Sequence, residues 1–178
     1  MPIKYCRMES GDLHLISQID RSEHITIAYE IRNGALAEIE VDWDIPTWFV
    51  NTEGDHGLSE VLKFCQSHLD HGGVVLGAFK DDRLVGVALV RTKLREHMAQ
   101  LAFLHVSNGY RKLGIATKLM ENAREIARDV GAVQMYISSI PSSSAVGFYL
   151  AQGSRLVEEP DPELYALEPE DIHLVLDL

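Results

Sequence analysis

Positive charge, cysteine and long apolar runs are all scarce in this sequence of 178 residues. Lys and Arg number 16 against 27 Asp and Glu, which gives a formal net charge of −11. So acidic a chain is repelled by phosphate backbones and by anionic lipid surfaces, and we therefore expect no nucleic-acid partner and no membrane partner. The acidity would suit a cationic substrate, although many cytoplasmic proteins are simply acidic.

The two cysteines, Cys6 and Cys65, follow no metal or redox spacing. We therefore expect a reduced, cytoplasmic setting and no metal. The first ten residues contain no apolar core of signal-peptide length. Residues 130–154 carry no charge, but Pro141, three glycines and several serines within them indicate strand, loop and helix rather than a membrane span.

Apolar periodicity and turn residues predict the order of the remaining elements. Asn33-Gly34 and Asp81-Asp82 lie between alternating runs and predict two hairpins, the first over about residues 25–44. Single strands are predicted over 3–8, 100–106, 133–138, 155–157 and 172–178. Helices are predicted over 11–19 with Ser10 as the cap, over 58–70, over 114–130, and from Ser142 to near Gly153. Residues 158–171 are predicted to form a polar loop.

The strand, helix and strand over residues 100–138 predict a parallel crossover, whereas the hairpins predict antiparallel pairing. We therefore expect one domain over residues 1–178, with the hairpin at about 25–44 as an addition. Its fold class would be α/β (α+β), with a mixed, mostly antiparallel, twisted sheet and helices on both faces. The oligomeric state stays open, a homodimer being one option.

The stretch SNGYRKLGIATKLM, residues 107–120, joins the strand at 100–106 to an amphipathic helix. The predicted apolar stripe of that helix contains Ile115, Leu119, Ile126 and Val130. Free amides in its first turn, Gly114, and the charges of Arg111 and Lys112 would suit a pyrophosphate. An ordinary helix start with a chance glycine and two solvated cations is the alternative.

Three patterns in one order resemble the GNAT superfamily of acyl-CoA-dependent N-acetyltransferases. The signature [RQ]-x-x-G-x-[GA] is matched by residues 111–116, RKLGIA. The preceding L-x-V is matched by residues 104–106, and the later A-x-x-F-Y-x-x-x-G by residues 145–153. The resemblance extends over about residues 74–157 and, loosely, over the first 20. It implies acetyl-CoA as cosubstrate and a parallel strand pair that is splayed.

The resemblance also implies residues for the cofactor. The signature loop would bind the pyrophosphate through backbone amides, at Arg111, Lys112, Leu113, Gly114, Ile115, Ala116 and Thr117. The strand before it would offer backbone groups to the pantetheine arm and the thioester carbonyl, at Leu104, His105 and Val106. Many members place Asn where this chain has Ser142, which reaches less far, although Ser143 or Ser144 could share the task.

One catalytic group follows from the same resemblance, and the general base stays open. Tyr149 matches the tyrosine that commonly protonates the departing CoA thiolate, and the alternative is a half-buried aromatic with a wet hydroxyl. Some members use a glutamate as general base where this chain has Gln100, which accepts no proton at neutral pH. His105 is a candidate base that could face the wrong side of its strand. Glu96, His97, the acidic residues of the first hairpin, or a water chain are further options.

Other side chains have two interpretations each. His68 and His71 could share a metal, but a solvated helix face fits better without a carboxylate partner. Trp43, Trp48 and Phe49 would either line an acceptor pocket or bury the hairpin against the core. The sequence thus predicts an acetyl-CoA-dependent N-acetyltransferase acting on a small-molecule amine. A protein or peptide amine as acceptor, or a non-catalytic acyl-CoA sensor, are the alternatives.

Overall fold

A seven-stranded sheet forms the centre of the protein, and a two-stranded hairpin stands beside it. The computed structural model describes residues 2–48 and 57–178. Its strands are β1 (Lys4–Met8), β2 (Glu23–Arg32), β3 (Ala35–Ile45), β4 (Val74–Lys80), β5 (Arg83–Arg95), β6 (Met98–Val106), β7 (Gln134–Ser139), β8 (Arg155–Leu156) and β9 (Ile172–Asp177). The sheet order is β1-β4-β5-β6-β7-β9-β8, and β2 pairs with β3. Both predicted hairpins are confirmed, and their turn residues Asn33, Gly34, Asp81 and Asp82 all have positive φ.

The helices are α1 (Leu58–Asp70), α2 (Ile115–Asp129), α3 (Ser143–Ala151) and α4 (Pro162–Leu167), preceded by a 3₁₀ helix over Ser10–Gln18. The predicted stripe of α2 is buried at Ile115, Leu119 and Ile126, but Val130 lies beyond the helix and is half exposed. No helix in the described ranges is long and apolar enough to cross a membrane.

Two predictions of local structure are wrong. Ser10 is not the cap of the first helix, which is a 3₁₀ helix and begins at a capping box formed by Glu9 and Asp12. Residues 158–171 are not wholly a loop, because Asp161 caps the short helix α4, accepting hydrogen bonds from the amides of Glu163 and Leu164. Leu164 is the buried side chain that holds α4 on the sheet.

Helices cover both faces of the sheet, as predicted. From Val87 onward successive residues of β5 point to opposite faces, so Ala88 and Val90 join one apolar cluster and Val87 and Leu89 join the other. A register shift against β4 leaves Val85 unpaired, and it places Val85 in the first cluster and Leu84 in the second. The first cluster contains the buried residues of α2 and α3, and the second contains those of the 3₁₀ helix and α1. β5 is therefore buried on both sides and forms the rigid centre on which the site is built.

The predicted parallel crossover joins β6 to β7 through α2. The two strands pair from Met98 and Gln134 only as far as Leu101 and Ile137, although both continue beyond. Their carboxyl ends are thus free of each other. This is the position where ligands commonly bind in sheets with parallel strands.

Gly86 sets how closely α2 approaches β5. A Cβ atom there would lie 2.9 Å from Ile115 Cγ2 and 3.1 Å from Leu119 Cδ1. We expect Gly86→Ala to lower the free energy of unfolding by about 1–3 kcal/mol, because these branched ends are packed in the core and cannot withdraw. Urea denaturation measures the loss. Gly11→Ala is the control, since its Cβ would meet nothing within 4 Å; equal stabilities for the two variants would contradict the prediction.

Candidate functional site

One extra residue in β6 opens the crevice between the parallel strands. Leu89 of β5 pairs with Phe103, but Val90 pairs with Leu101, so Ala102 is an unpaired bulge residue. The bulge lies directly after Leu101, the last residue of β6 that pairs with β7. Beyond Leu101 the parallel ladder no longer uses the backbone groups of β6 on the β7 side, although the Val106 carbonyl accepts a hydrogen bond from Arg111 Nε.

The bulge also decides which way the following side chains point. Leu104 and Val106 pack with the apolar cluster of α2 and α3. Phe103 packs on the opposite face, and the ring of His105 lies beside it with a centroid distance of 4.5 Å. The structure therefore separates the predicted site residues of this strand into two groups, with His105 on the face away from Tyr149.

The loop between β6 and α2 has the geometry of an anion cradle. Lys112 and Gly114 have φ values of 61° and 79°, and Gly114 is the left-handed residue that starts α2. Successive amides around such residues turn toward a common centre, and the first turn of a helix adds amides without intrahelical acceptors. The predicted set from Arg111 to Thr117 is thus brought together. Lys112 is exposed and Leu113 is 67% exposed, so the mouth of the cradle is open.

The side chain of Arg111 is directed into the protein rather than toward the cradle. Its Nε donates to the carbonyl of Val106 at 3.3 Å, and its Nη2 donates to the carbonyl of Arg21 at 3.2 Å. Its Nη1 lies 3.3 Å from a carboxylate oxygen of Glu23. The amides of the loop and Lys112 are therefore the groups left to meet an anion.

α3 begins at the carboxyl end of β7, on the other side of the crevice. Ser142, 1% exposed, is its N-cap, and its hydroxyl accepts from the amide of Ala145 at 3.2 Å and lies 3.1 Å from Ser144 Oγ. Two turns later Tyr149 is buried in the cluster of α2 and α3. Burial, with a smaller contribution from Asp171, raises the pKa of the Tyr149 phenol well above its ordinary value, so it stays protonated at neutral pH.

His105 packs with two aromatic side chains, and the guanidinium of Arg21 lies close to one of them. The indole of Trp48, which is fully buried, lies with its ring centroid 5.4 Å from His105 and 6.0 Å from Phe103. The Arg21 guanidinium lies 5.2 Å from the Trp48 ring centroid. Burial, together with the charges of Arg21 and Arg111, lowers the pKa of His105 to about 4. Its imidazole is therefore neutral at physiological pH and a weak proton acceptor.

Two further polar groups lie near the crevice, of which Gln100 was singled out by the sequence and Asp171 was not. Gln100 is 5% exposed, and its Oε1 meets no hydrogen-bond partner in the described part of the chain. Asp171 precedes β9, whose first residue pairs with Ser139 at the end of β7. Burial, and to a lesser extent Glu168, raises the pKa of the Asp171 carboxyl to about 7. Its sequence context, the polar stretch 158–171 with six other acidic residues, gave no signal of that burial.

The other candidates lie elsewhere. The Nδ1 atoms of His68 and His71 lie 2.9 Å and 2.6 Å from the carbonyls of Phe64 and Ser67, four residues earlier in each case. Within residues 2–48 and 57–178, no group of three or more His, Cys, Asp or Glu side chains could hold a metal ion. Trp43 is 39% exposed, and Phe49 lies outside the described residues.

His105 should make folding sensitive to mild acid. Below pH about 6.5 the histidine of the unfolded chain binds a proton, while the folded protein resists protonation until about pH 4. We therefore expect the free energy of unfolding to fall as the pH drops through this window, by on the order of 3 kcal/mol at most. Urea denaturation of the protein and of His105→Gln measures the difference. An imidazole titration by NMR with a midpoint near 6.5 would contradict it.

Comparison with known proteins agrees with this geometry. The model of the "Acetyltransferase (GNAT) family" matches residues 38–153, whereas among curated proteins none matches the chain. Nourseothricin acetyltransferase is similar in structure, with a TM-score of 0.74, 19% identity and 99% of each chain covered.

Two further solved structures were determined with a cofactor bound. A candidate streptothricin acetyltransferase from Bacillus anthracis str. Ames, in complex with acetyl coenzyme A, has a TM-score of 0.75 at 14% identity, over 100% of this chain and 99% of that one. PaiA N-acetyltransferase from Thermoplasma acidophilum, in complex with coenzyme A, has a TM-score of 0.65 at 16% identity, over 100% of both chains. By its family match, its sheet and its signature loop, the chain belongs to the GNAT family of acetyltransferases.

Proposed function

We propose that this acetyltransferase transfers the acetyl group of acetyl-CoA to the primary amine of a small, cationic molecule. The observation that carries the proposal is the open crevice between β6 and β7, with the left-handed loop at Lys112 and Gly114 on one side and α3 on the other. In this proposal the amides from Arg111 to Thr117 hold the pyrophosphate, with Lys112 as the nearest free cation. The structures solved with coenzyme A and acetyl coenzyme A support this choice of cofactor.

The pantetheine arm would lie along β6, where pairing with β7 has ended. The backbone from Leu104 to Val106 offers it hydrogen-bonding groups, as the parallel ladder no longer uses those on that side. Ser142 contributes less directly than an Asn would, because its hydroxyl already caps α3. Its part is to fix the start of α3, and because Ser144 Oγ donates to Glu23, Ser143 is the hydroxyl of this turn that we assign to the arm.

The chemistry needs one proton donor and one proton acceptor. The amine nitrogen attacks the thioester carbonyl, a backbone N–H of β6 stabilises the oxyanion, and the C–S bond breaks as the tetrahedral intermediate collapses. The Tyr149 hydroxyl then gives its proton to the thiolate, and the phenolate regains one from water. The raised pKa keeps the phenol in its donor form before the step, and it also makes Tyr149 a weaker acid than an exposed tyrosine.

Asp171 is the proton acceptor that the electrostatics favour. An alkyl ammonium has a pKa near 10 and must lose a proton before it attacks. The carboxyl of Asp171 has a pKa of about 7, and its charge is felt by Tyr149. His105 is a poorer acceptor because its pKa is about 4, so we assign it to packing with Trp48 and Phe103.

The acceptor is inferred from charge. Four carboxylates, at Glu38, Glu40, Asp42 and Asp44, are exposed along β3, on a chain with a net charge of −11. Such a surface raises the local concentration of cationic amines and repels acidic ones. The nourseothricin and streptothricin acetyltransferases, to which the chain is similar in fold, support a small molecule over a protein amine as the first class to test.

A non-catalytic sensor of acyl-CoA is the second candidate. It is favoured by Gln100, which stands where some members carry a glutamate base, and by the commitment of Ser142 to helix capping. The two functions differ in turnover, since a sensor would bind acetyl-CoA but acetylate no amine.

A panel of polyamines, aminoglycosides, simple alkyl amines and peptide N-termini, assayed for CoA release, tests the proposal. We expect turnover with at least one cationic small molecule and a fall of about tenfold or more in kcat for Tyr149→Phe. The Kd for acetyl-CoA should stay unchanged, because the lost hydroxyl acts only on the leaving thiolate. Tyr165→Phe, at a half-exposed tyrosine of α4, is the control. Cofactor binding with no turnover on any amine would favour the sensor instead.

Asp171 should govern the acidic side of the pH profile. We expect kcat/KM to rise with pH through about 7, as the carboxyl becomes able to accept a proton. Asp171→Asn should lower kcat/KM and remove that rise, because the amide does not titrate. Initial rates from pH 5.5 to 9 measure both effects. If kcat/KM of Asp171→Asn still rises with pH through about 7, the rise is due to another group and the prediction is wrong.

A further inference from the structure

We propose that Glu23, the first residue of β2, is a positioning residue that holds the two cofactor-binding elements at a fixed separation. The inference rests on the proposed function for the identity of the ligand. The two elements are the loop between β6 and α2 and the first turn of α3. The family match does not include Glu23, because it begins at residue 38.

The carboxylate of Glu23 bridges the crevice directly. One oxygen lies 3.3 Å from Arg111 Nη1, in the signature loop. The other accepts a hydrogen bond from Ser144 Oγ at 2.6 Å, in the first turn of α3. Its side chain is 26% exposed, and that of Arg111 is 33% exposed, so solvent screens this ion pair less than a surface pair.

The neighbours of Glu23 attach to the same two elements. Before it, the carbonyl of Asp20 accepts from the amide of Asn108 at 2.7 Å, and the amide of Asp20 donates to Ser107 Oγ at 3.0 Å. After it, the amide of Tyr29 donates to the carbonyl of Pro141 at 2.7 Å. The segment 20–29 is therefore tied to the loop at one end and to the start of α3 at the other. Glu23 is the side chain within that segment that contacts both.

The link that Glu23 makes between Arg111 and Ser144 lies where no strand pairing joins β6 to β7. β6 and β7 stop pairing at Leu101 and Ile137, so their backbone does not set the distance between the loop and α3. Glu23 supplies a link that the ladder lacks. Without it, the loop and α3 would be free to move apart, and the amides that meet the pyrophosphate would lose their fixed relation to the groups that meet the pantetheine arm.

Glu23 also explains why Arg111 is useful although its guanidinium faces away from the cradle. The family signature accepts Arg or Gln at this position, and both can bond a carbonyl, but only Arg forms an ion pair with Glu23. In this chain the charge of Arg111 thus acts through Glu23 on the shape of the loop. Glu23 and Arg111 should therefore behave as one unit when either is changed.

A double-mutant cycle on coenzyme A binding tests the inference. We expect Glu23→Gln to raise the Kd for coenzyme A, measured by calorimetry, by roughly tenfold, because a charge-assisted contact is lost. Arg111→Gln should raise it by a similar factor. The double variant should be no weaker than either single one. Glu23→Asp, which keeps the charge, should recover part of the loss. Glu30→Gln is the matched control, because Glu30 lies on the same strand and pairs with Arg32 instead.

Hydrogen exchange gives a second readout that needs neither cofactor nor turnover. In Glu23→Gln, amides of residues 107–114 and 142–146 should both exchange faster, while those of β5 stay protected. Losses that multiply in the double variant, an unchanged Kd in Glu23→Gln, or exchange that rises in only one of the two segments would each overturn the inference. If the unaltered protein does not bind coenzyme A at all, the proposed function is wrong. The hydrogen-exchange experiment alone then decides whether Glu23 holds the loop and α3 together.

Discussion

The single extra residue Ala102 in β6 is the constraint on which the site depends. Up to Leu101 the strand pairs with β5 and β7 on its two sides, as a central strand must if its backbone groups are to be satisfied. One unpaired residue then ends the pairing with β7 and moves every later side chain to the other face. With an unbroken ladder there would be no crevice, and His105 rather than Leu104 would point toward α2.

An opened ladder must be stabilised by other contacts, and the structure provides them on both sides. On the outer side, β5 pairs with β6 through to Val106, and Gly86 brings α2 against that same stretch. Across the opening, the segment 20–29 ties the loop at Asn108 to the start of α3 at Pro141. The free backbone groups of β6 stay inside this frame, where a ligand of the right length can satisfy them.

Features that depend on neighbouring residues in the chain, such as turns and amphipathic helices, could be predicted from the sequence. Asn33-Gly34 specified its hairpin because both residues adopt positive φ, and the apolar stripe at Ile115, Leu119 and Ile126 specified α2. Local chemistry was insufficient where the outcome depends on distant partners. The buried contact of Leu164 decides that α4 forms within a stretch whose composition reads as loop.

The contacts that matter most for the site are also those furthest apart in the chain. Glu23 meets Ser144 across 121 residues, and Arg111 meets the carbonyl of Arg21 across 90. No spacing rule connects such positions, so no periodicity could reveal Glu23. The residues of LAFLHV do not reveal the bulge at Ala102 either, since they are typical of an ordinary apolar strand, and only the family resemblance indicated that the parallel strands are splayed there.

Segment 20–29 and the strand that follows it carry charges of both signs close together. Near the start of segment 20–29, Arg21 lies next to Arg111 of the signature loop, and both are positively charged. The amides of that loop add partial positive charge where an anionic cofactor would bind. β3 carries four exposed carboxylates along its length, and Asp44, near its end, pairs with His24, the residue directly after Glu23. Because Glu23 is paired with Arg111, its own negative charge is neutralised at the end where a phosphate must approach. The same pairing that fixes the shape of the loop therefore also keeps an acidic hairpin compatible with an anionic cofactor.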